Sequence, residues 1–217
     1  MDNLDTISVR VLGSLIEKEF TTPDNYPLTL NALVSACNQT SNRDPVLSLD
    51  DDDVARALDA LAKRSLARAV QRSDSRVRRY RQTLSETLSL HPAETAVLCV
   101  LMLRGAQTVG EIRTRTARMF EFRDLPHVEV TLNALMTLAT PLVALLPRRP
   151  GQKEVRYAHL LSGEPQDVAP EIASAMSEVP PPQQPGRIDA LEQSVETLRA
   201  EMEELRARFE EFRREFQ

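Results

Sequence analysis

The sequence predicts a mainly α protein with small β-hairpins, an α+β class arranged as two tandem winged-helix domains followed by a C-terminal coiled-coil helix. Three observations lead there. Val54, Leu58 and Leu61 share one helical face, and Val128, Leu132 and Leu135 repeat that face 74 residues later. Each face is followed by a hairpin pattern that ends alike, in Arg-Arg-Tyr-Arg-Gln-Thr-Leu (78–84) and in Val-Arg-Tyr-Ala-His-Leu-Leu (155–161), with Tyr80 and Tyr157 offset by 77. A repeat of this kind sets the architecture before any local assignment. The third observation is an apolar residue every three and four positions through 188–216. The boundaries that follow are domain 1 over 1–88, domain 2 over 89–163, a Pro-rich linker over 164–186 and the coiled-coil helix over 187–217.

Val9, Leu12, Leu15, Ile16 and Phe20 fall at helical spacing and predict the first helix. The segment Thr-Thr-Pro-Asp-Asn-Tyr-Pro (21–27) interrupts it, and Pro27 suits the first turn of a second helix through Leu28, Leu30, Leu33, Val34 and Cys37. The polar stretch 39–45 reads as a turn. Asp50 is placed to cap a third helix, with Asp51, Asp52 and Asp53 at the positive end of its dipole. Leu66–Gln71 and Arg79–Leu84 read as two strands joined at Ser-Asp-Ser. The second repeat follows the same order. Pro92 opens a helix that ends at Gly105, Thr108 and Glu111 form a capping box, Asp124 and Pro126 start a third helix, and a hairpin with a Pro-Gly turn at 150–151 closes the domain.

Beyond Gly163 the pattern changes. Pro-Pro-Pro-Gln-Gln-Pro-Gly (180–186) is a poor core former and reads as an extended linker. Ile188, Leu191, Val195, Leu198, Met202, Leu205, Phe209, Phe212 and Phe216 then fill the a and d positions of a heptad seam. At 1.5 Å per residue that helix is about 43 Å long. A lone helix would leave the stripe wet, so self-association, as a homodimer, is expected in preference to folding back on the domains. Parallel pairing brings Glu201 to Arg206 and Arg187 to Glu192 favourably but sets Arg208 against Arg213, which leaves the orientation open.

Composition bounds the function. The chain of 217 residues carries a net charge of −5, yet the charge is uneven. Residues 1–90 hold 12 basic and 13 acidic side chains, residues 91–163 hold 9 and 6, and residues 164–217 hold 6 and 13. The acidity therefore sits in the tail, and the domains remain compatible with nucleic acid. No stretch reaches the length of a membrane span and no secretory pattern opens the chain, so a cytoplasmic protein that does not enter a membrane is expected. Cys37 and Cys99 lie on core faces of different domains, which suits reduced thiols.

Ala-Leu-Val-Ser-Ala-Cys-Asn-Gln-Thr-Ser-Asn-Arg-Asp-Pro-Val (32–46) resembles the signature segment of the YceH-like family of bacterial proteins. Val-Leu-Gly-Ser-Leu-Ile-Glu-Lys-Glu (11–19), with Pro23, Tyr26, Pro27 and Leu28, is similar to that family too. So is Leu-Pro-His-Val-Glu (125–129), together with Arg149, Pro150, Gly151, Gln152, Lys153, Glu154 and Tyr157. The resemblance spans roughly residues 5–162. It implies two winged-helix domains and brings no established activity.

Enzymatic chemistry finds little footing. None of the 6 glycines forms a phosphate-cradling loop, and His91, His127 and His159 are too scattered for a metal site, so neither catalysis nor a cofactor is expected. His127, between Asp124 and Glu129, reads as part of a solvated capping cluster, and Cys37 as core. In the turn, Asn38, Gln39, Ser41, Asn42, Arg43 and Asp44 read as locally bonded, with Arg43 pairing to Asp44 or to the 50–53 run.

Basic hairpins suggest nucleic acid. Arg72, Arg76, Arg78, Arg79 and Arg81 lie in or beside the first hairpin, with Arg68 nearby, and strand alternation sets Arg79 and Arg81 on one face and Tyr80 on the other. Domain 2 adds Arg113, Arg115 and Arg118 on its second helix, and Arg148, Arg149, Lys153 and Arg156 on its hairpin. Guanidinium groups suit phosphate geometry. Against this, four aspartates begin the third helix of domain 1, where a recognition helix would meet the groove. Two expectations follow: a dimer whose basic wings grip the backbone of double-stranded DNA, as a transcriptional regulator would, or an interaction platform whose arginines meet an acidic protein partner.

Overall fold

A computed structural model describes residues 3–71, 77–148 and 154–163. The linker and the heptad seam over 188–216 lie outside the described residues. Within them the chain is α and β mixed, with helices that carry the core and two small antiparallel sheets.

Helix α1 (Thr6–Thr21) starts where the Asp5 side chain accepts the Ser8 N–H at 2.6 Å. It stops at Thr22, and Pro23 then opens a short 3-10 turn over Pro23–Asn25. Its apolar residues include the expected face, but burial is broader than a stripe: every residue from Ser8 to Ile16 is covered. The reason is position. α1 packs against α2 (Leu30–Cys37) and α3 (Asp51–Lys63) of its own repeat and against α5 (Pro92–Arg104) of the next. Gly13 permits the last contact, because a Cβ there would stand 2.9 Å from Leu103 Cδ2. The Cys99 thiol donates to the Gly13 carbonyl at 3.4 Å across the same seam.

The second helix begins later than its apolar pattern suggests. Leu28–Thr29 form a short strand, β1, and Pro27 precedes it rather than entering the helix. Two bonds decide this. The Leu28 backbone pairs with Tyr80, and the Thr29 hydroxyl accepts the Ala32 N–H to cap α2. Strands β2 (Ala67–Val70) and β3 (Arg79–Gln82) complete a sheet in the order β1-β3-β2. The expected strand through Leu84 is shorter. Gln82 gives its N–H to the Tyr26 hydroxyl at 2.7 Å, and Leu84 opens a short helix, α4 (Leu84–Leu88).

The second repeat follows with α5, α6 (Val109–Thr116), α7 (Leu125–Met136), β4 (Val143–Leu146) and β5 (Arg156–His159). The correspondence reaches single residues. Gln107 bridges Tyr157 as Leu28 pairs with Tyr80, and in each repeat the next residue is the capping threonine, Thr29 or Thr108. Asp50 caps α3 and Asp124 caps α7 in the same way. Thr108 and Glu111 form the expected capping box. Position 88/89 falls between α4 and α5, and the buried apolar residues of both repeats join in one contiguous cluster.

Candidate nucleic-acid interface

The first hairpin turns a cationic face outward. Register sets Arg68 opposite Arg81 and Val70 opposite Arg79. Successive strand residues alternate faces. Tyr80 packs on the core and Gln82 is buried, so Arg79 and Arg81 stand on the opposite side. They are not equivalent. Arg79 is half-buried and its Nη1 donates to the Pro27 carbonyl at 2.9 Å, which ties β3 to the segment before β1. Arg81 pairs with Glu86 of α4. Arg68 and Arg78 are exposed, and neither has a partner among the described residues.

The second repeat divides likewise. Arg113 donates from Nε to Phe122 O at 3.5 Å and from Nη2 to Arg123 O at 3.0 Å, bracing the α6–α7 connector. Arg115 reaches Glu111 at 3.2 Å, one turn back on α6. Arg148 is exposed just past β4, while Arg156 is half-buried opposite Leu146. Arg72, Arg76, Arg149 and Lys153 lie outside the described residues, as do the Ser-Asp-Ser and Pro-Gly turns.

The acidic start of α3 has a local cause. Asp53 N–H donates to Asp50 Oδ1 at 2.8 Å and Asp50 N–H to Asp53 Oδ2 at 3.2 Å, a reciprocal cap. Asp51 and Asp52 are exposed and complement the dipole. At α7, Asp124 caps the His127 N–H at 2.9 Å. The His127 ring is not solvated as the sequence suggested: it is half-buried and lies edge-on to Phe122 at 5.1 Å and Phe120 at 5.9 Å, because those rings fold under the helix start.

The α2–α3 connector is bonded internally, with one partner that differs from expectation. Asn38 clasps Leu49, donating to its carbonyl and accepting its N–H, both at 2.8 Å. Arg43 turns inward and meets Glu17 of α1 rather than Asp44 or the 50–53 run. Arg43 also donates to the Ala36 carbonyl, which α2 leaves unsatisfied at its end. Arg10 escaped sequence analysis. It is 2% exposed, and its guanidinium holds the Cys37 carbonyl at 3.1 Å and the Pro45 carbonyl at 2.5 Å. Burial, then the nearby Arg43, pulls it below the usual arginine range. Its only sequence signal is a lone cation between Val9 and Val11. Cys37 and Cys99 are buried free thiols, both pushed up by desolvation, which suits packing and not nucleophilic attack.

Among the described residues no group of three or more histidine, cysteine or carboxylate side chains is placed to hold a metal. Nor is any helix among them long and apolar enough to cross a membrane.

Over residues 4–152 the chain matches the family described as protein of unknown function, DUF480. A UPF0502 protein of Geobacter sulfurreducens is 54% identical over 199 residues, 90% of each chain. One of Geotalea daltonii is 54% identical over 180 residues, 83% of this chain and 79% of its own. One of Opitutus terrae is 49% identical over 199 residues, 90% of this chain and 83% of its own. The matched range contains the inward Arg43, its partner Glu17 and most of both repeats.

Proposed function

We propose, from the premise that the chain belongs to the DUF480 family, that it is a non-enzymatic tandem winged-helix protein that grips the backbone of double-stranded DNA through its basic hairpins. One observation carries this. Arg68 and Arg81 stand directly opposite each other across β2 and β3, on the face turned from the core, with Arg78 exposed one position before β3. Like charges set opposite across strands are unfavourable by a few tenths to about 1 kcal/mol. Glu86 answers Arg81, which leaves Arg68 and Arg78, among the described residues of that hairpin, as the cations open to an external phosphate. Guanidinium groups fit phosphate, and duplex DNA is what three helices with a wing commonly hold, a warrant by analogy of fold. Base reading by α3 is not part of the proposal, because Asp51 and Asp52 at its start repel phosphate. Pairing of two copies through Ile188–Phe216 would set four hairpins on one assembly.

The test is fluorescence anisotropy of a labelled mixed-sequence duplex across a salt series. Arg68→Ala/Arg78→Ala is the informative variant, since neither side chain has a partner among the described residues. Changing Arg79 would confound the result through its bond to Pro27. The plot of log affinity against log salt should become shallower by about 2, close to one unit per phosphate contact removed. Absence of wild-type binding at low salt would overturn the proposal.

A second reading has its own support. Leu125 and Val130 of α7 are 44% and 66% exposed, and that helix carries no lysine or arginine. Such a face suits a protein partner, in a platform assembled through the tail without DNA. Val130→Asp should then abolish capture of that partner while leaving any duplex binding intact.

A further inference from the structure

We propose that the cleft between the two repeats is a binding site for a small phosphorylated ligand. The cleft holds about 470 Å³, within the range usual for small-molecule sites. Its walls are the C-terminal turns of α1, α5 and α6 and the connector after α2, so both repeats contribute. Lys18, Arg104, Arg115 and Arg118 line it.

The helix C-termini bring partial negative charge of about half a unit each, less in sum than the four full cations that line the cleft. Glu17 is the one carboxylate among the residues that line the cleft, and Arg43 holds it from behind with Nη2 at 2.6 Å and Nη1 at 3.2 Å. Lys18 stands 3.7 Å from the same carboxylate, and its other contact is 3.5 Å to Gln39. Glu111 pairs with Arg115 through Oε1, while its Oε2 accepts the Thr108 N–H of the capping box. Arg118 is exposed and has no partner among the described residues. Four cations thus line the cleft against one lining carboxylate, with Arg43, Glu111 and Asp44 acting from just outside it. Burial first, then Arg115, pulls the Arg104 guanidinium below the usual arginine range, against the opposing pull of Glu17 and Asp44.

The remaining lining fits a phosphate ester better than a simple halide or a carboxylate. Guanidinium forks match phosphate oxygens and favour a dianion. Arg104 is held in place by its bond to the Asn42 side chain. The Ser41 hydroxyl adds a neutral donor, while the half-buried Met119 offers apolar surface to the organic part.

The experiment is titration of the isotope-labelled full chain with adenosine 5′-phosphate and, separately, inorganic pyrophosphate, followed by amide chemical shifts. Saturable shifts are expected in residues 39–42, 104 and 114–119. Lys18→Ser/Arg118→Ser should weaken binding about tenfold or more, the effect of losing charge-assisted contacts. Arg118→Ser alone, which removes no contact among the described residues, should keep the fold and still weaken binding several-fold. Absence of saturable shifts would overturn the proposal, as would shifts indifferent to both variants or centred on Arg68, Arg78 and Arg148. So would a duplex that occupies the cleft in preference to both small probes. Duplex binding lost in Arg68→Ala/Arg78→Ala with cleft shifts retained separates this site from the hairpin surface.

Discussion

Glu17 on α1 and Arg43 in the α2–α3 connector, 26 residues apart in sequence, meet in a two-pronged ion pair whose closer contact is 2.6 Å. The Arg43 side chain is wholly covered. It reaches the Ala36 and Asn42 carbonyls as well, so one guanidinium joins the first helix, the end of the second and the turn that follows.

Without Arg43 the Ala36 carbonyl loses its donor, while Glu17, 14% exposed, keeps Lys18 at 3.7 Å. Arg43→Ala is therefore expected to lower unfolding free energy by about 1–3 kcal/mol. Arg43→Lys should recover only part, because an ammonium cannot span both carboxylate oxygens and the carbonyls. Urea denaturation with unchanged slope and a lower midpoint would register both effects; a near-neutral Arg43→Ala would refute the structural role.

Gly13 sets how closely α1 approaches α5. Its missing side chain leaves room for Leu103 and Met102, both buried. Gly13→Leu should force those side chains off their rotamers and cost about 1–3 kcal/mol. Thermal denaturation checks this, and an unchanged midpoint would show that the seam can open.

His159 on β5 gives the stability a predictable pH dependence. Burial lowers its pKa from 6.5 to about 4. The unfolded chain therefore binds the proton more readily, and stability contributed by neutral His159 is full above pH 6.5 and is lost as pH falls toward 4. The loss is on the order of 3 kcal/mol at the acid end. His159→Gln should flatten the stability profile in that window; an identical slope would place its cause in other groups.

The heptads make a separate prediction. Deleting residues 187–217 should halve the mass in solution measured by light scattering, since it removes every a and d residue from Ile188 to Phe216. An unchanged mass would end the case for assembly through that segment.

Much of the local structure was legible because it depends on neighbours in sequence. The caps at Asp50, Thr108 and Asp124 use side chains that bond backbone N–H groups three residues on, a relationship that spacing alone reveals. The apolar faces of α3 and α7 followed from period, and their repetition exposed the pseudo-symmetry. β1 was missed because two residues carry no period; only the arrival of Tyr80 makes Leu28 a strand. The arginines illustrate the same limit. Sequence grouped Arg78, Arg79 and Arg81, whereas the fold leaves Arg78 exposed and engages the other two with Pro27 and Glu86.

The sequence by itself determined the order of the longer helices and the hairpin in each half, the repeat and the positions of most helix starts, since each rests on contacts within a turn or two of chain. Tertiary structure alone decided that Arg10 and Arg43 point inward, that α1 is buried over nine successive residues and that cations from both repeats converge on one cleft. These depend on groups tens of residues away. A guanidinium accepts burial only where carbonyls and a carboxylate meet it, and that meeting exists only once the helices have packed.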